Sequence, residues 1–304
     1  MNPSQSNYLI GLACGLAVPF IWGAWIVASR FGVTHALTAY DVSALRVGVG
    51  SLIVLPVLLT RGLSGLALTR AFIISVGAGA PFALTSFTGM SLAPVAHAGV
   101  LTNGAMPIFA ALLGVFWLRE RPGGQRLVAI GLIIIGGLLI GGDSFTGAPE
   151  PLQWLGDILL VAAGAIFALY MTALRKWQPE IIQTIVAVPV VSAVLYLPIW
   201  ALFLPSGLLR ADIFPPWPEI ALQAGFQGVV ASVIVVMLLT RATRSVGATT
   251  LAVFLAGAPA LAVVFGIFLL DELPTVLAWA GLAVTTAGMV LAVERRRDNV
   301  SDTV

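Results

Sequence analysis

What this sequence most lacks is charge. Only 9% of its 304 residues are Asp, Glu, Lys or Arg, whereas 59% are hydrophobic. A soluble domain carries about 25% charged residues, so this chain cannot clothe a water-facing surface and must mostly face lipid or itself. Cysteine is nearly absent as well. Cys14 stands alone, which excludes an intrachain disulfide and leaves no basis for a Cys-based zinc site. The histidines are His35 and His97 only, far apart in sequence, so no metal site is expected, and no cofactor either. The first seven residues contain no Lys or Arg. The basic start of a secretory signal is missing, and the first apolar run is expected to stay as a span. The net charge of +2 is small and no basic stripe alternates with aromatics, which argues against nucleic acid as a partner.

What is present is a series of long apolar runs. A helix needs about 20 mainly apolar residues to cross about 30 Å of hydrocarbon. Ten stretches qualify: Tyr8–Ala28, Tyr40–Leu59, Ala71–Met90, Val95–Leu118, Leu127–Ile140, Leu155–Leu174, Ile181–Leu204, Glu219–Leu239, Gly247–Leu270 and Thr275–Val293. The fifth is short and glycine-rich. The connectors are too short for a soluble domain. The expected class is an all-α membrane protein with the lipid bilayer as its first partner.

Cationic residues set the orientation of such a chain. The loops after spans 2, 4, 6 and 8, with the C-terminal tail, hold Arg61, Arg70, Arg119, Arg121, Arg126, Arg175, Lys176, Arg241, Arg244, Arg295, Arg296 and Arg297. The opposite loops hold Arg30 and Arg210. That asymmetry predicts a multi-pass chain with both termini in the cytoplasm.

One pattern occurs twice. Pro107 to Pro122, PIFAALLGVFWLRERP, and Pro259 to Pro274, PALAVVFGIFLLDELP, share P-x6-G-x5-E-x-P. Ala110 and Ala262, Phe116 and Phe268, and Leu118 and Leu270 match without a gap. The copies lie five spans apart, an odd number, so they run in opposite directions across the bilayer. Two five-helix units of inverted topology are a recognised way to build a secondary transporter. The expected division is 1–141 for the first repeat, 142–154 for an outer loop, 155–294 for the second repeat and 295–304 for a cytoplasmic tail. A fainter echo joins Trp25-x4-Arg30 to Tyr170-x4-Arg175.

With these segments, Trp22-Gly23, Arg46 and the glycine-rich spans after each Glu (Gly131, Gly136 and Gly137; Gly281 and Gly288), the chain resembles the EamA-type transporters of the drug/metabolite transporter superfamily. The resemblance implies ten helices in two inverted five-helix repeats, a central cavity lined by both, and alternating access. It also implies export of amino acids, including aromatic ones, or of related metabolites. Relatives in that superfamily move sugars, nucleotide sugars or drugs.

Candidate residues follow from what is costly in lipid. Pro107 and Pro259 fall near the middle of spans 4 and 9. A helix-interior proline frees a carbonyl that must be satisfied by neighbours or a water-lined cavity, so the pair suggests matched kinks or hinges. Arg46 is the intramembrane charge. It either snorkels to the headgroups or binds freed carbonyls or a substrate carboxylate. Asn103 lies one turn before Pro107, and Gln223 and Gln227 share one face of span 8; each either glues helices or faces substrate. Trp22, Phe82, Thr85, Phe167, Tyr170 and Phe254 lie within spans and are candidates for the cavity wall. His97, at the start of span 4, reads as a hydrogen-bonding rim residue of that cavity. Glu120 and Glu272 read as hairpin-end residues. No Asp or Glu lies deep in a span; Asp41, Asp157 and Asp271 sit at ends. A carboxylate buried in the membrane is a common proton-coupling device, and its absence from the spans points to facilitative movement.

These readings predict an inner-membrane exporter of amino acids or similar small metabolites, functional as a monomer, and not an enzyme. An exporter of a drug, nucleoside or sugar derivative is the alternative. An integral-membrane enzyme ranks lower, because no His, Asp, Glu or Cys cluster is visible at either interface.

Overall fold

The computed structural model describes residues 3–146, 150–210 and 214–293. The predicted tail at 295–304 lies outside them. The described residues are overwhelmingly helical, and nine helices are long and apolar enough to cross a bilayer, with a shorter tenth. In chain order they are α1 (Pro3–Thr34), α2 (Ala39–Arg61), α3 (Leu68–Leu92), α4 (Val95–Leu118), α5 (Gly124–Asp143), α6 (Gln153–Trp177), α7 (Ile181–Phe203), α8 (Trp217–Val246), α9 (Ala248–Leu270) and α10 (Val276–Ala292). The fifth helix extends past its predicted Leu127–Ile140 at both ends. Its polar end residues Gln125, Arg126 and Asp143 are helical too, so the short apolar run understated its length.

The two halves, α1–α5 and α6–α10, exchange partners. α1 packs against α8 and α9, and α6 packs against α3 and α4. α2 packs against α7, and α5 against α10. Helices in lipid gain little from burying apolar surface against one another and rely on close approach at small residues. Gly281 sits against the Gly136 carbonyl of α5, and Gly288 against Ala129 and Ile133. Gly77 and Gly164 bring α6 close to α3 and α4 in the same way.

The repeated motif has one geometry in both copies. Arg119 and Asp271 end their helices in the left-handed conformation, with φ of 59° and 55°. The next amide, of Glu120 or Glu272, donates to the carbonyl of Gly114 or Gly266 at 3.0 or 3.2 Å. A left-handed residue is a common helix stop, closed here by a bond that reaches six residues back, and the proline two residues on prevents the helix from resuming. The Gly, Glu and Pro of the motif therefore make one corner, formed on opposite sides of the molecule.

The two motif prolines differ. Pro107 is interior to the helix Asn103–Leu118, just after a π-helical stretch, Ala98–Thr102. Pro259, expected inside a continuous helix, is instead the second residue of Ala258–Leu270, after a break at residues 256–257. At that position its missing N–H has no helical partner to lose. The stretch at 98–102 packs on this break, with Gly99 against the Pro259 backbone. α8 carries a longer π-helical stretch, Ala224–Ile234. π-helical insertions recur at functional sites.

Candidate functional site

Arg46 projects from α2 into a cage of aromatic rings. Its guanidinium lies 5.8 Å from the Trp25 ring centroid and 5.9 Å from that of Phe82. Trp25 and Phe82 stack at 6.1 Å. The series continues through Phe167, 5.0 Å from Phe82, to Tyr170 at 5.3 Å and Trp22 at 6.3 Å. These rings come from α1, α3 and α6, so both repeats build the cage. A guanidinium over aromatic faces is stabilised by their quadrupoles, but that leaves most of its five N–H donors unused. Among the described residues Arg46 has no carboxylate partner, and its Nη1 donates to Gln227 Oε1 at 3.3 Å.

Gln227 is the polar floor of the cage. Its Oε1 also accepts from Trp25 Nε1 at 2.6 Å, and its Nε2 donates to Ser29 Oγ at 2.9 Å and to Gln223 Oε1 at 3.2 Å. Gln223 Nε2 donates to the Ala28 carbonyl at 2.6 Å. Both glutamines are fully buried. The π-helical stretch begins between them, and this buried ladder ties α8 to α1. Asn103, Phe254 and Thr85 are the predicted cavity residues that remain. Asn103 Nδ2 donates to Gly99 O at 2.7 Å, a bond within its own helix that uses one of its two N–H donors. Phe254 packs on Gly15, away from the cage. Thr85 is half-buried on α3, one turn beyond Phe82.

Ion pairs join the repeats at each face. On the Arg-poor face Arg30, at the end of α1, is buried. Its Nε donates to Glu272 at 2.9 Å, its Nη2 to Glu150 at 2.9 Å and its Nη1 to the Met90 carbonyl at 2.7 Å. Glu272 also accepts from the Val95 amide at 2.6 Å. On the Arg-rich face Arg175, at the end of α6, pairs with Glu120, which Arg126 approaches at 3.8 Å. The glutamates read as hairpin-end residues therefore also reach across to the opposite repeat. Arg30 and Arg175 are the pair already related by the Trp25/Tyr170 echo.

A second cluster corrects the sequence reading of His97 and of the carboxylates. His97 is 1% exposed rather than on a rim. Its Nδ1 lies 2.8 Å from Asp157 Oδ1 and its Nε2 3.3 Å from Asp143 Oδ2. Asp157 also accepts from Ser144, and Asp143 from Thr275 at 2.8 Å. Both carboxylates stand at helix ends, yet both are buried, with Ser144, Gln153 and Thr275 packed around the cluster. Neither carboxylate lies deep in a span, so the expectation of facilitative movement keeps its premise; what position along the helix did not reveal is that these end-standing groups are buried within the protein. A cavity of about 610 Å³ adjoins this cluster, lined among others by His97, Asp143, Glu150, Gln153, Glu272 and Thr275. It shares no lining residue with the Arg46 cage. Asp41, also buried, is held by Thr38, Trp200, Ser206 and the Gly207 amide and fastens α2 to the segment after α7. Among the described residues no cluster of His, Cys, Asp and Glu has metal-binding geometry.

The profile of the EamA-like transporter family matches residues 9–142 and 154–293. The S-adenosylmethionine uptake transporter of Rickettsia felis is 30% identical over 223 residues, 70% of this chain and 72% of that protein. The S-adenosylmethionine uptake transporter of Rickettsia bellii is 33% identical over 141 residues, 44% of this chain and 48% of that protein. A crystal structure of a protein 20% identical in sequence superposes with a TM-score of 0.56, covering 95% of this chain and 96% of that one; the likeness there is one of fold.

Proposed function

The chain belongs to the EamA-like transporter family of the drug/metabolite transporter superfamily, and on that footing we propose that it carries amino acids or amino-acid derivatives across the inner membrane. The observation that carries this reading is Arg46. Its guanidinium sits in an aromatic cage with one long hydrogen bond and no anionic partner among the described residues. Holding a charge there costs about 2.5–3.5 kcal/mol on insertion scales. A substrate carboxylate would offset that cost with a bidentate, charge-assisted pair. The rings then offer apolar and π faces to the rest of the solute.

The sequence reading favoured amino-acid export, whereas the relatives above are named for uptake of S-adenosylmethionine. The two solutes share an α-amino group and an α-carboxylate. S-adenosylmethionine adds a sulfonium, which suits an aromatic face, and an adenine, which suits stacking. Arg46 recognises what they have in common, and the solute gradients set the direction of movement.

Transport proceeds by alternating access. The Arg30–Glu272 and Arg175–Glu120 pairs close the two faces, and each breaks when its own face opens. The Arg-rich loops are the cytoplasmic ones, and residues 1–141 and 155–294 are the units that move. Pro107 and the break before Pro259 are the flexible points of the two motif helices. One chain contains the whole pathway.

The test is counterflow in proteoliposomes holding the pure protein, across a panel of amino acids and S-adenosylmethionine. Saturable exchange of at least one of them is expected. If none is exchanged by protein that binds and moves another solute class, the substrate reading falls while the family assignment stands.

A further inference from the structure

We propose that His97, Asp143, Asp157 and Gln153 form a proton-binding switch that controls opening of the Arg-poor face. The inference goes beyond the carrier reading, and its test does not require the solute to be known.

The argument begins with the donors and acceptors around the imidazole. Asp157 Oδ1, 2.8 Å from Nδ1, requires a hydrogen on that nitrogen. Nε2 has two neighbours, each at 3.3 Å: Asp143 Oδ2 and Gln153 Nε2. Their demands are opposite. A carboxylate oxygen accepts, so it needs Nε2 to carry a hydrogen. An amide nitrogen only donates, so it needs Nε2 to present its lone pair. The amide cannot escape by flipping, because Gln153 Oε1 already accepts from the Glu150 backbone N–H at 3.1 Å. One imidazole nitrogen is therefore poised between a partner that suits the neutral ring and a partner that suits the charged ring.

The consequence reaches both repeats. With a proton from water on that face bound at Nε2, the ring donates at both nitrogens and bridges Asp157 of α6 to Asp143 of α5. The other oxygen of Asp143 accepts from Thr275 Oγ1, and that oxygen in turn accepts from the Ala278 amide as the cap of α10. The chain from α6 through α4 and α5 to α10 is then continuous. With the proton lost, Nε2 turns to Gln153, and Asp143 is left buried without its strongest donor. A buried carboxylate short of donors is costly, and admitting water by opening the face relieves it. Protonation therefore favours the closed face and deprotonation favours the open one. The remaining charges around this cavity wall, Glu150 and Glu272, are held by Arg30.

The experiment uses the full-length protein with Cys14→Ala and a single reporter, Ser29→Cys, in the cage. A membrane-impermeant thiol reagent is applied to the Arg-poor face of oriented vesicles between pH 5.5 and 8.5, and rates are normalised to the unfolded chain. Labelling is expected to rise with pH, approaching about tenfold per unit where one proton is released. His97→Gln should flatten the profile, and His35→Gln should leave it as it is. Two gentler variants supply an independent reading. Asp143→Asn removes the partner of the charged ring and should move the midpoint to lower pH. Gln153→Met removes the partner of the neutral ring and should move it to higher pH. A flat profile in the parent, an unchanged profile in His97→Gln, or equal midpoints in Asp143→Asn and Gln153→Met would each overturn the proposal.

Discussion

Glu272→Gln and Glu120→Gln occupy equivalent corners of the two repeats, yet the structure predicts very unequal effects. On the Arg-poor face the Arg30 side chain is 5% exposed and Glu272 23%. On the Arg-rich face Arg175 is 48% exposed and Glu120 33%. The relevant quantity is what the truncation does to the closed state relative to the open one. In the closed state Glu272→Gln leaves a buried guanidinium with Glu150 and the Met90 carbonyl only; in the open state water reaches it. Removing one partner of a buried pair costs about 3–5 kcal/mol. Glu150 remains and is itself half exposed, so the low end, about 3 kcal/mol, applies. At about 1.4 kcal/mol per factor of ten, the population open toward the Arg-poor face rises roughly a hundredfold. Glu120→Gln breaks an exposed pair worth about 0.2–1 kcal/mol, so the opposite opening rises only a few-fold. Labelling of the Ser29→Cys reporter from each face in turn measures both. The swap Arg30→Glu with Glu272→Arg should recover part of the closed population. Equal effects at the two corners, or no effect of Glu272→Gln on labelling from the Arg-poor face, would refute the assignment of this pair as the stronger gate.

Three further outcomes follow from the same geometry. Arg46→Gln should raise the KM for a carboxylate-bearing solute about ten- to a hundredfold, since a hydrogen bond to a charged group contributes about 1.5–3 kcal/mol. The decarboxylated amine of the same solute should be affected far less, and equal losses for both would remove Arg46 from carboxylate recognition. Gly281→Ala places a methyl group 2.7 Å from the Gly136 carbonyl and about as close to Ile140. It should destabilise the protein by about 1–3 kcal/mol, seen as a lower Tm in detergent, whereas Gly131→Ala, with open space around it, should not. Pro107→Ala restores a hydrogen bond inside a helix, whereas Pro259→Ala acts at a helix start. Slower turnover at unchanged expression is therefore expected from the first and little change from the second.

Most of the fold was legible because hydropathy and length act locally. A run of about 20 apolar residues specifies a spanning helix whatever surrounds it, and the duplicated motif reveals the inverted relation without any contact being known. The cage was legible in part. Trp22, Phe82, Phe167 and Tyr170 come together around Arg46, but Trp25 and Ser29 of the same cage were not singled out, although Trp25 belongs to the Trp25/Tyr170 echo. Asn103 and Phe254 lie away from the cage for a geometric reason. Face assignment assumes 3.6 residues per turn, whereas α4 contains a π-helical stretch at Ala98–Thr102 and α9 is broken at residues 256–257. The His97 cluster was not legible at all. Its members stand on three helices, at ends that read as interfacial, and their burial depends on how those ends come together, which no local pattern encodes.

The division between what repeats and what does not bears on how such a carrier works. A protein that must present equivalent openings to two sides benefits from gates that are copies of one another. The corners at Glu120 and Glu272 and their partners Arg175 and Arg30 have that relation. A solute with an α-carboxylate has no twofold symmetry, so the groups that hold it need not be duplicated. Arg46 on α2 has no charged counterpart on α7, whose 23 residues contain no Asp, Glu, Lys or Arg. The carboxylates of the His97 cluster likewise stand on α5 and α6, with their closing contact on α10. In the proposed cycle the repeated residues are the gates, and the unrepeated ones are assigned to the solute and the proton. On that proposal duplication supplies the access cycle, and recognition rests on positions where the halves differ. In an inverted-repeat carrier, the polar residues that break the internal symmetry are therefore the ones to examine first for substrate and coupling.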